Sequence, residues 1–404
     1  MFLSELISLN DALYKVNQNQ KVLNTETIFL KDAQGRVLAK PIISYHNIPP
    51  FDKSTRDGYA VIAEDTYDQS NDIKLKIIDR IGAGDFSDKT IDHGEAIVIA
   101  TGAPIPKGAN AVLMKEFTEE IDDYVKVYSS IEPNKNIAPK AEDIACGDLI
   151  LEANTLIRPQ EMSLIASAGY NTIEVFNKPR VKLIITGNEL VEPSKELDNA
   201  KIINSNQFVI SGMVRSAGAI CDIEHVCDDF DEIKLAIEKA SKEYDLIITT
   251  GGTAISKGDL IVDVVQELGE VLFHGVNIRP GKLAGAGIIN ETQIFMLSGQ
   301  PAAAMVQFDF FARPYIFNMQ GINYKNISVK RKSNTQIKSR LGRVDIIKAY
   351  CDEDSIHVLK RGSGVIRSMV KANSYILLDE NHKGIHEGES VDIMFFRDMV
   401  WPII

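Results

Sequence analysis

The stretch that most constrains the fold is Asp245-Leu246-Ile247-Ile248-Thr249-Thr250-Gly251-Gly252-Thr253-Ala254-Ile255-Ser256-Lys257-Gly258-Asp259. Its apolar run, bounded by polar residues, reads as a strand covered on both faces. The run enters Gly251-Gly252, where backbone angles closed to other residues are open and amide groups are bare. Ile261, Val264, Val265 and Leu268 follow at helical spacing. Strand, glycine loop and helix N-terminus in that order make an anion site at the carboxyl end of a parallel strand. Alone, a Gly-Gly pair fits an ordinary tight turn equally well.

The neighbouring sequence keeps an α/β rhythm. Val181 to Ile185 is a buried strand ending at Thr186-Gly187-Asn188-Glu189-Leu190. Asn204-Ser205-Asn206 caps a helix, Ala219 to His225 is a second strand, and Ile233, Ile237, Ala240 and Tyr244 mark another helix. This alternation predicts a parallel, doubly wound sheet. Strand ends in such a sheet share one rim, so Glu189, Asp228, Asp229 and the Gly251–Asp259 stretch should gather in one crevice. His274 to Gly287 reads as a loop carrying Arg279 and Lys282 around Pro280-Gly281. A guanidinium fork beside an ammonium suits a tetrahedral oxyanion, although two solvated surface charges fit the same residues. Ala302 to Phe317 reads as a helix.

The flanks are different. Residues 73–127 show short strand-like runs separated by turns, and strands return after Gly321. Ile48 to Val61 is an extended loop that carries Asp52, Lys53, Arg56 and Asp57 into a strand, with Asp57-Gly58 read as a turn. Glu161 to Ala168 reads as a helix with Met162, Ile165 and Ala166 inward. The expected division is an N-terminal helix, 1–26, packed on an α/β domain at 179–322. A linking β-rich domain takes 27–46 and 147–178, an inserted small β-domain takes 47–146, and a C-terminal β-domain takes 323–404.

A chain of 404 residues exceeds one ordinary core. Its formal net charge of −12 argues against a general nucleic-acid or membrane-surface binder. An anionic ligand must therefore meet a local basic pocket. Cys146, Cys221, Cys227 and Cys351 form no Cys-x-x-Cys pair, which suits reduced cytoplasmic usage, and Cys221 and Cys227 read as buried filler. No run approaches a membrane span, and the first residues show no secretory signal, so a cytoplasmic protein is expected.

Several motifs together resemble the molybdopterin molybdenumtransferases, the MoeA and gephyrin E-domain family. They are Phe51-Asp52-Lys53-Ser54-Thr55-Arg56-Asp57-Gly58-Tyr59-Ala60-Val61, Thr101-Gly102-Ala103-Pro104-Ile105-Pro106, Gly108-Ala109-Asn110-Ala111-Val112 and Thr186-Gly187-Asn188-Glu189-Leu190. The series continues with Asn204-Ser205-Asn206, Thr250-Gly251-Gly252-Thr253, Arg279-Pro280-Gly281-Lys282 and Gly362-Ser363-Gly364. The resemblance implies a multidomain α/β plus β fold: a central doubly wound molybdopterin-binding domain, an inserted small β-domain, a linking β-rich domain and a C-terminal β-barrel-like domain, in an elongated homodimer. It implies that adenylylated molybdopterin and molybdate give molybdenum cofactor and AMP with Mg²⁺. It further implies Arg279, Lys282, Arg343 and Ser363 at molybdate, and Gly251, Gly252, Thr253 and Ser256 at the pterin phosphate. Asp57, Thr101, Glu189, Asp228 and Asp259 become the catalytic acidic and polar positions, with Glu189 and Asp259 on the metal. Asp57 and Thr101 would act in a partner subunit's cleft. Protein partners would be the molybdopterin adenylyltransferase and the molybdoenzymes that accept the cofactor, with no nucleic acid and no membrane.

The chain departs from the family pattern at Ala254, at Ala138 within Asn136 to Asp143, at Ser298, Gln300 and Ala303, and at Arg279 where Lys is common. A second class of function stays open: a weakened scaffold that holds molybdopterin or a partner. Opposed acids and cations, which a scaffold need not keep, favour the enzyme.

Overall fold

Helix α1 (Leu9–Asn17) shows how local chemistry sets an element's limits. The Ser8 side chain caps it by accepting from the Asp11 N–H at 3.0 Å, and Leu9, Ala12 and Val16 form its buried stripe. The computed structural model describes residues 6–67, 72–194, 196–197, 199–251, 259–323, 328–353, 355–359, 362 and 364–396. They form two compact units: residues 1–26, 35–39 and 175–404, and residues 27–34 and 40–174.

The second unit holds a six-stranded sheet made of β1 (Gly58–Val61), β2 (Lys74–Ile81), β3 (Glu95–Ile99), β4 (Ala111–Met114), β5 (Thr118–Ile121) and β6 (Tyr124–Val127), in the order β4-β1-β3-β2-β6-β5. Alternate residues take opposite faces, Tyr59 and Val61 in one cluster and Ala60 in another. Gly58 is not a turn residue. It begins β1, and a Cβ there would lie 1.9 Å from the Leu113 carbonyl oxygen. Helix α2 (Pro159–Ser167) starts on a box in which the Glu161 carboxylate accepts from the Arg158 N–H at 2.9 Å. Ile165 is buried, but Ala166 is exposed, against the expected inward stripe.

The first unit contains β7 (Arg180–Thr186), α3 (Asn206–Ser216), β8 (Ile220–Val226), α4 (Phe230–Glu243), β9 (Leu246–Thr250) and α5 (Leu260–Leu268). It continues with β10 (Glu270–His274), β11 (Ile278–Arg279), β12 (Gly285–Ile289) and β13 (Thr292–Leu297). Its main sheet has the order β8-β7-β9-β13-β12-β10. The first four strands are parallel, as expected, while β12 and β10 join antiparallel. The expected loop at His274 to Gly287 is therefore the end of β10, the short β11 and the start of β12. Strands of two residues give too little periodicity to read. Leu183, Ile185, Leu246 and Ile248 pack on one face with α1 and α3, and Ile184 and Ile247 pack on the other with α4 and α5. Both faces are covered, which is why these strands read as unbroken apolar runs.

The expected 302–317 helix is α6 (Pro301–Gln307) and α7 (Arg313–Met319), joined by a π-helical segment, Phe308–Ala312. Beyond it lie β14 (Ser328–Ser333), β15 (Val344–Cys351), β16 (Ser355–Val358), α8 (Ile366–Lys371), β17 (Ser374–Leu378) and β18 (Ser390–Phe395). The order β15-β16-β14-β18-β17 closes through a β15–β17 pairing, giving a five-stranded barrel, and β11 adds to β15 in parallel. Asp309, on the π segment, accepts from the Tyr375 hydroxyl at 2.8 Å and from Arg313 Nε at 2.8 Å. That buried contact fixes the barrel to the α/β layers and so fixes what lies between them. Cys221 is buried as expected, while Cys227 is exposed.

Candidate functional site

The floor of the site is the carboxyl edge of the parallel strands. Gly251 follows β9 at φ +102°, and a Cβ there would lie 2.1 Å from the Thr186 carbonyl oxygen at the end of β7. Only glycine lets the two strand ends approach this closely. Asn206, in the first turn of α3, is buried and donates through Nδ2 to Thr250 Oγ1 at 2.9 Å and to the Gly299 carbonyl at 3.0 Å. The cap of α3 comes from Asn204, whose Oδ1 accepts from the Gln207 N–H at 3.3 Å. The expected ligands Gly252, Thr253, Ser256 and Ser363 lie outside the described residues.

The wall is basic. Pairing of β11 with β15 sets Arg279 opposite Asp345. Arg279 Nε lies 3.3 Å from Asp345 Oδ1, and Arg343 Nε lies 3.3 Å from the same oxygen. Asp345 is 1% exposed, and its Oδ2 accepts from the Ser339 hydroxyl at 2.8 Å and from Arg279 Nη2 at 3.4 Å. Arg343 Nε and Nη2 and Asp345 Oδ1 are buried without a hydrogen-bond partner, so these groups meet as charges and off the hydrogen-bond line. Lys282 is exposed on the turn after Pro280. Lys348, on β15, is buried and donates to the carbonyls of Gly362 and Val365 at 3.2 and 3.3 Å and to Ser368 Oγ at 2.7 Å. Burial pushes its ammonium below the usual lysine range.

Floor and wall enclose a cleft of about 990 Å³. That is the upper end of the range for small-molecule sites, enough for a nucleotide-tagged ligand. Among the described residues its lining carries four basic side chains, Arg279, Lys282, Arg343 and Lys348, and two acidic ones, Glu189 and Asp345. Gly251 lines it as well. The structure thus brings together Glu189, Gly251, Arg279, Lys282 and Arg343, on an acidic protein whose local field here is positive.

Asp228 and Asp259 do not line this cleft. Asp228 is exposed, and its carboxylate accepts from the Asn188 N–H at 3.1 Å while its own N–H donates to Asn188 Oδ1 at 3.2 Å. It therefore clamps the turn that presents Glu189. Asp259 caps α5 through the Val262 N–H at 3.3 Å, and its other oxygen lies 3.1 Å from His274 Nε2. Asp229 likewise caps α4. Strand-end acids near a rim serve helix starts as readily as ligands. Asp57 and Thr101 lie in the other compact unit. There the Thr101 N–H and hydroxyl donate to Asp57 Oδ1 at 2.7 and 2.9 Å, which holds the exposed carboxyl below its usual range. Among the described residues no group of three or more His, Cys, Asp and Glu is placed to hold a metal. The described carboxylates do not form a metal cage of their own.

Three family models match the chain in order: the MoeA N-terminal region (domain I and II) at residues 7–169, "Probable molybdopterin binding domain" at 182–318, and the MoeA C-terminal region (domain IV) at 330–396. A Methanocaldococcus jannaschii protein named for molybdopterin biosynthesis is 40% identical over 95% of this chain and 94% of its own. The chain belongs to the MoeA family. A Staphylococcus aureus molybdopterin molybdenumtransferase is 31% identical over 96% of this chain and 95% of its own. The crystal structure of a Pyrococcus horikoshii MoeA protein aligns with a TM-score of 0.84 at 33% identity, over 97% of this chain and all of that one.

Within this MoeA-family cleft, sequence reasoning missed Asp345, Lys348 and Gln307. Gln307 is fully buried and spans the two loops of the wall, accepting from the Ser298 N–H at 2.7 Å and donating to the Gly281 carbonyl at 2.9 Å. For the first two a signal was present. An acid and a lysine stand in the apolar strand Val344-Asp345-Ile346-Ile347-Lys348, where an ionisable group must have a partner. The departure at Ser298 also gains a physical account: its hydroxyl accepts from the Gln300 N–H at 3.2 Å and closes the turn.

Proposed function

We propose that this MoeA-family protein is a molybdopterin molybdenumtransferase, taking adenylylated molybdopterin and molybdate to molybdenum cofactor and AMP. The observation that carries the reading is the cleft in which Arg279, Lys282 and Arg343 face the glycine end of β9 and Glu189. Both substrates are anions, and neither would approach the other without cations between them. Arg279, Lys282 and Arg343, with Ser363, receive the oxyanion; the Arg279 and Arg343 side chains are 42% and 25% exposed, enough to present guanidinium donors to its oxygens. The strand end at Gly251, with Gly252, Thr253 and Ser256, offers backbone amides to the pterin phosphate.

Glu189 is the carboxylate in the cleft that would share a Mg²⁺ ion with substrate phosphate oxygens, with Asp259 a second candidate. The ion would screen the phosphates' charge. Asp228 holds the Glu189 turn. A homodimer, in which Asp57 and Thr101 serve a second copy, belongs to the same proposal. So do a cytoplasmic location, supply from a molybdopterin adenylyltransferase and transfer to cofactor-accepting enzymes. No helix among the described residues is long and apolar enough to cross a membrane.

The test is to mix purified protein with adenylylated molybdopterin, molybdate and Mg²⁺ and to follow AMP. Release above the no-protein control, dependent on molybdate, is expected. Tight pterin binding with no AMP would replace this reading with that of a scaffold.

A further inference from the structure

Of the two acidic side chains described in the cleft, Asp345 is the one set directly among the cations. It stands among the cations meant for an anion, so it competes with that anion for them. Its placement is nonetheless built. It is 1% exposed, faces Arg279 across a strand pair, takes the Ser339 hydroxyl at 2.8 Å, and lies 3.3 Å from both Arg279 Nε and Arg343 Nε. The hydrogen-bonding capacity of Arg343 Nε and Nη2 is nevertheless unspent, because the approach to Asp345 Oδ1 is off line. Asp345 therefore holds both guanidiniums while taking one hydrogen bond from them, from Arg279 Nη2 at 3.4 Å.

We propose that Asp345 is a positioning and specificity residue: it stands in for the anion when none is bound, holds Arg279 and Arg343 as a pair, and lowers the cleft's charge to match a tetrahedral dianion. The proposal rests on reading the cleft as an oxyanion site. Among the described residues of the lining, four basic and two acidic side chains leave an excess of two positive charges, equal and opposite to such a dianion. Without Asp345 the excess would be three, and abundant phosphate or sulfate would be held too firmly to exchange. Reversible loading is thus secured by a permanent competitor inside the protein.

The experiment measures binding of sulfate, molybdate and the tetrahedral monoanion perchlorate to the full chain by titration calorimetry. Asp345→Asn is expected to bind sulfate and molybdate roughly tenfold more tightly, about 1.4 kcal/mol, and to raise the preference for either dianion over perchlorate. Ser339→Ala keeps the carboxylate but removes its hydroxyl partner, leaving more of its charge for the guanidiniums. It is expected to bind both dianions a few-fold more weakly. A merely structural role predicts weaker binding in both variants and no change in charge preference. Equal or weaker binding by Asp345→Asn overturns the proposal. Should that variant not fold, equal or tighter binding by Ser339→Ala overturns it. Wild-type protein that shows these anion effects but releases no AMP keeps this inference and removes the enzymatic reading. Protein that binds none of the anions removes both.

Discussion

Gln307 is joined to Gly281 beneath the cleft: its Nε2 donates to the Gly281 carbonyl at 2.9 Å, while its Oε1 accepts from the Ser298 N–H at 2.7 Å. One buried amide thereby sets the distance between the Arg279–Lys282 turn and the loop after β13. Gln307→Leu would leave a carbonyl and an N–H unpaired, costing about 2–3 kcal/mol. The expected outcome is a lower urea midpoint and a molybdate half-saturation raised by about tenfold. A half-saturation unchanged from wild type would show that the loops hold their spacing without the amide.

Gly251 marks the closest approach of two strand ends. At φ +102° and 2.1 Å from the Thr186 carbonyl oxygen, an added methyl group meets both strain and overlap. Gly251→Ala is expected to cost about 3 kcal/mol, because neither strand can move without disturbing the sheet. Thermal unfolding reads this directly. A midpoint within a degree of wild type would mean that the edge is loose.

Glu161 gives the second unit an acid-sensitive contact. The Arg158 guanidinium and N–H hold its carboxyl down to about 2, from an ordinary value of 4.5. A carboxyl depressed on folding contributes its full stability above pH 4.5 and loses it as the pH falls toward 2. Glu161→Gln should therefore be less stable than wild type at pH 7 by about 1–2 kcal/mol. The gap should close as the pH is lowered through that window. A gap independent of pH would assign the loss to packing alone.

Glu189→Gln preserves shape while removing the exposed negative charge of the cleft wall. AMP release is expected to fall by at least about a hundredfold, with the unfolding midpoint unchanged. Full activity would take Glu189 out of the metal-ion and catalytic roles proposed for it.

Much of the α/β core was legible because burial on both faces writes itself as unbroken apolar runs, as in Leu183 to Ile185 and Leu246 to Ile248. The antiparallel edge, β12 and β10, was not legible: strand direction depends on partners far away in sequence. Within the site, Arg279 and Lys282 were visible as a motif and Glu189 as a strand-end acid. Asp228 and Asp259 looked alike in sequence; in the structure Asp228 also clamps a turn and Asp259 also caps a helix. A carboxylate after a strand and before a helix suits either task, and only geometry separates the two. Asp345 was hidden for a different reason. Its importance comes from the β11–β15 pairing, which sets Arg279 opposite it across 66 residues of chain.

The most direct measurement is the position of the molybdenum anomalous peak in crystals of the protein grown with molybdate. One tetrahedral oxyanion is expected at the basic wall, with oxygens within hydrogen-bond distance of the Arg343 and Arg279 guanidiniums and of Lys282. A peak elsewhere on the chain, with none between those three side chains, would contradict it.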